Sequence, residues 1–180
     1  VFMDAELCCL VVVDIQAKLN PVMFDPARVP SGAAKLLKGA EILGVPALLS
    51  EQYPKGIGAT VDELRGLMPT GCPIEKDTFS CLANDAFTQR FAALDRPQVV
   101  ISGIETHICV MQTALHFLSG GAEVFVVADA CASRLRESHD AGLERIRDAG
   151  GWVVTVEMVL FEWLKRSGTP EFKQISQLIK

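Results

Sequence analysis

A cysteine, an aspartate and a lysine in this 180-residue chain each close or follow an apolar run. Cys109 lies in SGIETHICVMQTALHF (102–117), where PQVVI gives way to helical spacing. With Thr106 as the expected N-cap, Cys109 is the third residue of that helix. A helix N-terminus carries roughly half a positive charge and exposes unpaired N–H groups. Both favour a thiolate, the nucleophilic form of cysteine. The plainer reading of Cys109 is a small apolar residue filling the strand–helix joint. A nucleophilic thiol needs a base, often histidine. His107 is two residues away, about 200° around the helix, and His116 lies roughly 10 Å up the axis. His139 belongs to a later helix and is expected to be a surface or helix-terminal residue. The base therefore falls to Asp14, which ends LCCLVVVD (7–14). A buried strand-end aspartate beside a thiol can share its proton, with its own pKa raised by desolvation. The plainer reading of Asp14 is a strand-end cap or Asx-turn. Lys76, closing CPIEK (72–76), would stabilise a thiolate and orient the aspartate. Taken alone it reads first as an exposed lysine paired with Glu75 or Asp77.

The elements that must position these residues alternate in type. Strands are expected at 7–14, 45–51, 72–76, 97–103, 123–130 and 152–164, the last running into a turn of helix. The first is continuously apolar, as a parallel strand covered on both faces should be. Helices are expected at 30–44 with Gly44 closing, 60–68, 84–94 with Asn84 as cap, 106–121 and 137–151. The tail places Phe172, Ile175 and Ile179 on one helical face. Six βα units imply a single-domain three-layer α/β/α fold over residues 1–180, with a six-stranded, mostly parallel, Rossmann-like sheet. Ligands in such sheets bind beyond the carboxyl ends of the strands. That end collects Asp14, Glu51, Lys76, Gly103 to Cys109, and Asp129.

Hydrophobic residues make up 49% of the chain and charged residues 22%, which fits a folded domain with a sizeable core. A mean hydropathy of +0.28 points to a buried subunit face as well, hence a homo-oligomer, whether dimer, tetramer or larger. The net charge is −5 with no basic cluster, so nucleic acid is not an expected partner. No apolar run approaches the ~20 residues of a membrane span, so no membrane partner is expected. LCCLVVV is too short for a signal peptide and lacks its basic flank and cleavage site. The chain begins at Val1 rather than Met, which leaves room for an upstream targeting segment. None of the six cysteines forms CxxC, and no Cys/His spacing suits zinc. Cys8 and Cys9 are expected to be inert core thiols, and a reducing, cytoplasmic setting fits. GIGAT (56–60) opens no helix straight off a strand and lacks the third glycine of a dinucleotide fingerprint.

Several stretches resemble, in order and spacing, the isochorismatase-like cysteine hydrolases, a superfamily that includes nicotinamidases and N-carbamoylsarcosine amidase. They are Asp14-Ile15-Gln16, Glu51-Gln52-Tyr53-Pro54-Lys55-Gly56, Lys76 with Phe79-Ser80, Gly103 to Val110, and Asp129 to Arg134. The resemblance covers nearly the whole chain and implies a triad of Asp14, Lys76 and Cys109. It also implies a cis peptide between Ile104 and Glu105, which would aim the Glu105 N–H, with that of Cys109, at one point. Two such donors form an oxyanion hole. The implied reaction is attack of the Cys109 thiolate on an amide-like carbonyl, with Asp14 moving the proton and a thioester intermediate. Gln16, Phe24, Gln52, Tyr53 and Phe79 are expected to shape the substrate pocket; the two phenylalanines read more readily as core. Nicotinamidases carry a metal-binding Asp/His cluster after strand two, whereas SEQYPKGIG has no histidine. The resemblance therefore implies the branch with no metal and no cofactor. Isochorismatases proper lack the cysteine, so cleavage of an enol ether is disfavoured. The rival reading is a non-catalytic oligomeric scaffold or interaction protein that retains an ancestral site. A thiol redox protein would need Cys81 or Cys131 as resolving thiol.

Overall fold

Every residue of β1 (Cys8–Val13) is buried, as expected for a strand flanked on both edges and covered on both faces. It lies inside a computed structural model that describes residues 1–180. β2 (Ala47–Gln52) and β4 (Gln98–Ile104) pair with it in parallel on either side. With β3 (Ile74–Lys76), β5 (Glu123–Ala132) and β6 (Trp152–Val154) they complete one all-parallel sheet, ordered β3-β2-β1-β4-β5-β6. The winding reverses between β1 and β4, and the crevice beyond their carboxyl ends is where such a sheet takes its ligand.

Alternate residues of β1 feed two cores. Cys8, Leu10 and Val12 meet α1 (Arg28–Leu43), α7 (Val156–Leu164) and α8 (Pro170–Leu178) on one face. Cys9, Val11 and Val13 meet α4 (Asp85–Ala92), α5 (Met111–Ser119) and α6 (Arg136–Asp148) on the other. The caps have local causes. Asn84 Oδ1 accepts from Phe87 N at 3.0 Å, and Gly44 closes α1 at φ 70°. Cys8 and Cys9 are core thiols, and all six cysteines are free.

Some boundaries differ from expectation. The run 152–164 is a strand for three residues only; Thr155 then caps α7, accepting from Met158 N at 3.3 Å. Val156, Val159, Leu160 and Trp163 repeat at helical spacing and are buried, which decides the helix. The helix at 60–68 shrinks to a single turn, α3 (Asp62–Arg65), and a further single turn, α2 (Pro54–Ile57), follows β2. Asp129 lies inside β5 rather than at its end, and its Oδ1 accepts from Val156 N at 2.8 Å. It joins β5 to α7 and takes no part in the crevice.

Gly103 lets β1 and β4 close on one another. A Cβ there would stand 2.1 Å from the Val13 carbonyl oxygen, at a φ of 131°. Only glycine permits that approach. A concavity of about 810 Å³ opens at the opposite, amino end of the sheet around Phe2, Leu7, Met158 and Phe161. No cysteine, serine or threonine lines it. No helix is long and apolar enough to cross a membrane.

Candidate active site

β1 leads directly into Asp14, whose backbone turns into the left-handed region at φ 52°, a conformation aspartate tolerates better than most residues. The turn buries its carboxylate completely. Ser50, at the matching level of β2, donates to Asp14 Oδ1 at 2.7 Å. Lys76, ending β3, donates to Asp14 Oδ2 at 2.8 Å, with no side-chain surface left on either partner. Lys76 is thus a buried ion-pair partner and not an exposed lysine held by Glu75 or Asp77. Its Nζ also donates to Gln52 Oε1 at 2.6 Å and to the carbonyls of Thr78 and Phe79. Burial alone would push this ammonium down. The Asp14 carboxylate, then Cys81 and Cys109, outweigh burial and hold it above its ordinary value.

Cys109 sits in a π-helical turn, Thr106–Val110, that leads into α5. The expected cap is displaced by one residue: Glu105 occupies the N-cap position, and the Thr106 hydroxyl instead meets His139 Nδ1 at 2.8 Å. Cys109 retains 6% of its surface. The thiol is pushed well up, first by burial, then by the Asp14 charge, while Lys76 pulls the other way. The resting sulfur is therefore a neutral thiol, contrary to the thiolate expected from its place near a helix N-terminus. Burial and an adjacent carboxylate dominate over half a helix charge. Asp14, Lys76 and Cys109 lie close enough to act on one another's charge, with Asp14 and Lys76 in direct contact.

The peptide Ile104–Glu105 is cis. The Glu105 N–H makes no hydrogen bond within the chain. The Glu105 carboxylate accepts from Arg134 N at 3.0 Å and from Arg134 Nε at 3.2 Å. On the far side, α6 presses against the turn that carries Cys109. A Cβ on Gly142 would stand 2.9 Å from His107 Cα.

None of the three histidines bonds to Cys109. His107 Nδ1 meets Ser133 Oγ at 2.9 Å, and His116 Nδ1 meets Ser80 Oγ at 3.1 Å. His139 departs from expectation: it is buried, edge-on to Phe24 with ring centroids 5.3 Å apart. Burial, then the charge of Arg28, lower it to about 4.

The expected pocket residues divide. Tyr53 and Phe79 stand exposed at the rim, 57% and 54% accessible. Tyr53, Lys55, Glu75, Asp77 and Asn84 line a groove of about 270 Å³ beside Lys76. Phe24 is half-buried, packed on His139 and beneath Arg136, whose guanidinium lies 4.4 Å from the ring centroid. Gln16 and Gln52 are buried and hydrogen-bonded within the chain. Gln16 Nε2 donates to the carbonyls of Gln52 and Gly58, and its Oε1 accepts from Gln52 N at 2.7 Å. Gln52 Nε2 donates to the Asp77 carbonyl at 3.1 Å. Both amides are buried and tie strand ends together. Glu51 is similarly committed, accepting from Thr60 N and Oγ1. Sequence reasoning missed Ser50 and Cys81, which lie next to Asp14; the only trace of Ser50 was one hydroxyl at the end of an apolar strand run.

A parallel sheet that brings a thiol, an acid and an ammonium together beyond its switch point defines an α/β protein with a cysteine-centred site. The isochorismatase domain family matches residues 8–158, and the chain belongs to that hydrolase family. It is 38% identical over 172 residues to isochorismatase domain-containing protein 2 of Danio rerio, covering 94% of this chain and 85% of that one. Among solved structures it resembles the MAR1 ribonuclease of Caenorhabditis elegans, with TM-score 0.92, 29% identity, and 99% and 92% of the two chains covered. It also resembles YcaC of Pseudomonas aeruginosa with hexane-2,5-diol and covalent acrylamide, with TM-score 0.92, 25% identity, and 98% and 91% covered.

Proposed function

We propose that this chain hydrolyses a small carboxamide or carbamoyl compound through a covalent thioester on Cys109. The observation that carries the reading is the buried Asp14 carboxylate, held by Lys76 on one oxygen and near enough to Cys109 for its charge to raise the thiol. Asp14 takes the thiol proton as sulfur attacks the carbonyl carbon. The oxyanion that forms is met by the Glu105 and Cys109 N–H groups. Asp14 passes the proton to the leaving amine as the C–N bond breaks. Water then adds to the thioester, giving up a proton to Asp14, and the sulfur leaves and recovers it. Lys76 stays charged throughout, so that Asp14 holds its place in both protonation states.

Pseudomonas aeruginosa YcaC holds acrylamide covalently; a nucleophile captures this small carboxamide by adding to its double bond, which supports a nucleophile within reach of small carboxamides. The ribonuclease name of the Caenorhabditis elegans neighbour describes that protein; a net charge of −5 gives a polyphosphate chain no electrostatic hold here. A homo-oligomer in the cytoplasm acting on a small molecule, with neither nucleic acid nor membrane as partner, completes the proposal. The test is a screen of small amides and carbamoyl compounds for ammonia release, with intact-protein mass spectrometry for the acyl adduct. Cys109→Ala is expected to lose both signals. A fully active alanine variant removes the nucleophile, and a wild-type chain that forms no adduct with any of them favours the scaffold reading.

A further inference from the structure

Behind Asp14 stands a second polar chain that the reaction as written does not use. The Ser50 hydroxyl is buried and donates to Asp14 Oδ1 at 2.7 Å. The Cys81 thiol, also buried, donates to Ser50 Oγ at 3.6 Å. Cys81 N in turn donates to Thr113 Oγ1 at 3.0 Å, on the helix that follows the nucleophile. We propose that Ser50, backed by Cys81, is a positioning relay for the base: Cys81 S–H fills the acceptor side of the Ser50 hydroxyl and so directs its hydrogen at Asp14.

A serine hydroxyl has one hydrogen and can turn it to any nearby acceptor. Cys81 removes that freedom. Burial, then the Asp14 charge, push its thiol up to about 11, so it remains a donor at neutral pH. With Lys76 on Oδ2 and Ser50 on Oδ1, both carboxylate oxygens are fixed before any proton moves. The titratable groups facing Asp14 are the charged Lys76 from β3 and the neutral thiols of Cys81 from the 81–83 turn and Cys109 from the π-helical turn. The neighbouring strands add only Ser50 and Gly103 at its level. A hydrogen bond to the ionised form stabilises it, so losing the Ser50 hydroxyl should raise the proton affinity of the Asp14–Cys109 pair.

The inference rests on Asp14 being the base for Cys109, and its test needs no substrate. Alkylation of Cys109 by iodoacetamide is followed against pH, with the modified site mapped by mass spectrometry. Ser50→Ala is expected to move the acid limb of the rate profile up by about one pH unit. Ser50→Thr keeps a hydroxyl and should restore the wild-type limb. Cys81→Ala should move it in the same direction by less, and serves as the second probe if Ser50→Ala does not fold. A merely structural role would lower the rate at all pH values and leave the limb in place. That result in Ser50→Ala, with wild-type Cys109 labelled, overturns the relay alone. An unmoved limb in Cys81→Ala overturns the part assigned to Cys81. No Cys109 adduct in the wild-type chain overturns the nucleophile and the relay together.

Discussion

Asp14 and Lys76 have no solvent to fall back on, so each depends on the other for its charge. Removing one partner of a buried ion pair leaves the other uncompensated, a loss of about 3–5 kcal/mol. Lys76→Met is therefore expected to lose stability on that scale in urea denaturation and to lose turnover with it. Asp14→Asn preserves the shape but not the proton acceptor. Its rate should fall at least about 10²-fold, read as adduct formation or ammonia release. A near-normal rate in Asp14→Asn would show that the proton goes elsewhere. Because Lys76 is held above its ordinary value, its stabilising contribution is fully present below pH 10.5 and fades only as pH rises through the higher folded value. The pair thus stays intact across the neutral range.

Elements hold the Cys109 turn through contacts far apart in sequence, and α6 supplies one of them in His139. Buried and lowered to about 4 from 6.5, His139 excludes a proton that the unfolded chain accepts. The unfolded state then binds more protons between those values, so stability falls as pH drops through that window, by roughly 3 kcal/mol at most. Arg28 and Arg136 oppose the proton and Asp140 favours it. His139→Asn keeps a polar partner for Thr106 without a titrating ring. It should show a clearly smaller loss between neutral and mildly acidic pH in urea titrations; an equal loss would assign the acid sensitivity to another group. His139 also marks what the sequence withheld. β1, the Asn84 cap and the Gly44 stop were legible because each follows from residues within a few positions. Asp14, Lys76 and Cys109 were legible as strand-end residues of one sheet. The burial of His139 depends on Phe24 and Thr106, brought there by two other segments. The short β6 was hidden because an apolar run of thirteen residues fits a strand or a buried helix until its neighbours choose. Ser50, Gln16 and Gln52 acquire their roles only once β1 and β2 are set in register.

At the scale of the whole molecule, apolar side chains stand exposed at both ends of the sheet. Phe2, Met158 and Phe161 lie at the amino end, and Tyr53, Phe79 and Leu135 at the carboxyl end. Together with a mean hydropathy of +0.28 they argue for association. Sedimentation velocity at micromolar concentration is expected to show a particle of several 19.5 kDa chains; a single-chain species would remove the oligomer. The close seating of Gly103 on Val13 bears on what such a particle could accept. The acid hangs from one of these strands and the sulfur from the other, and main chain bears directly on main chain between them. A bulky guest cannot wedge these two supports apart without breaking the centre of the sheet. Choice among guests therefore belongs to the loops that ring the mouth, and altering the diet of this protein means rewriting those loops while leaving the strands beneath untouched.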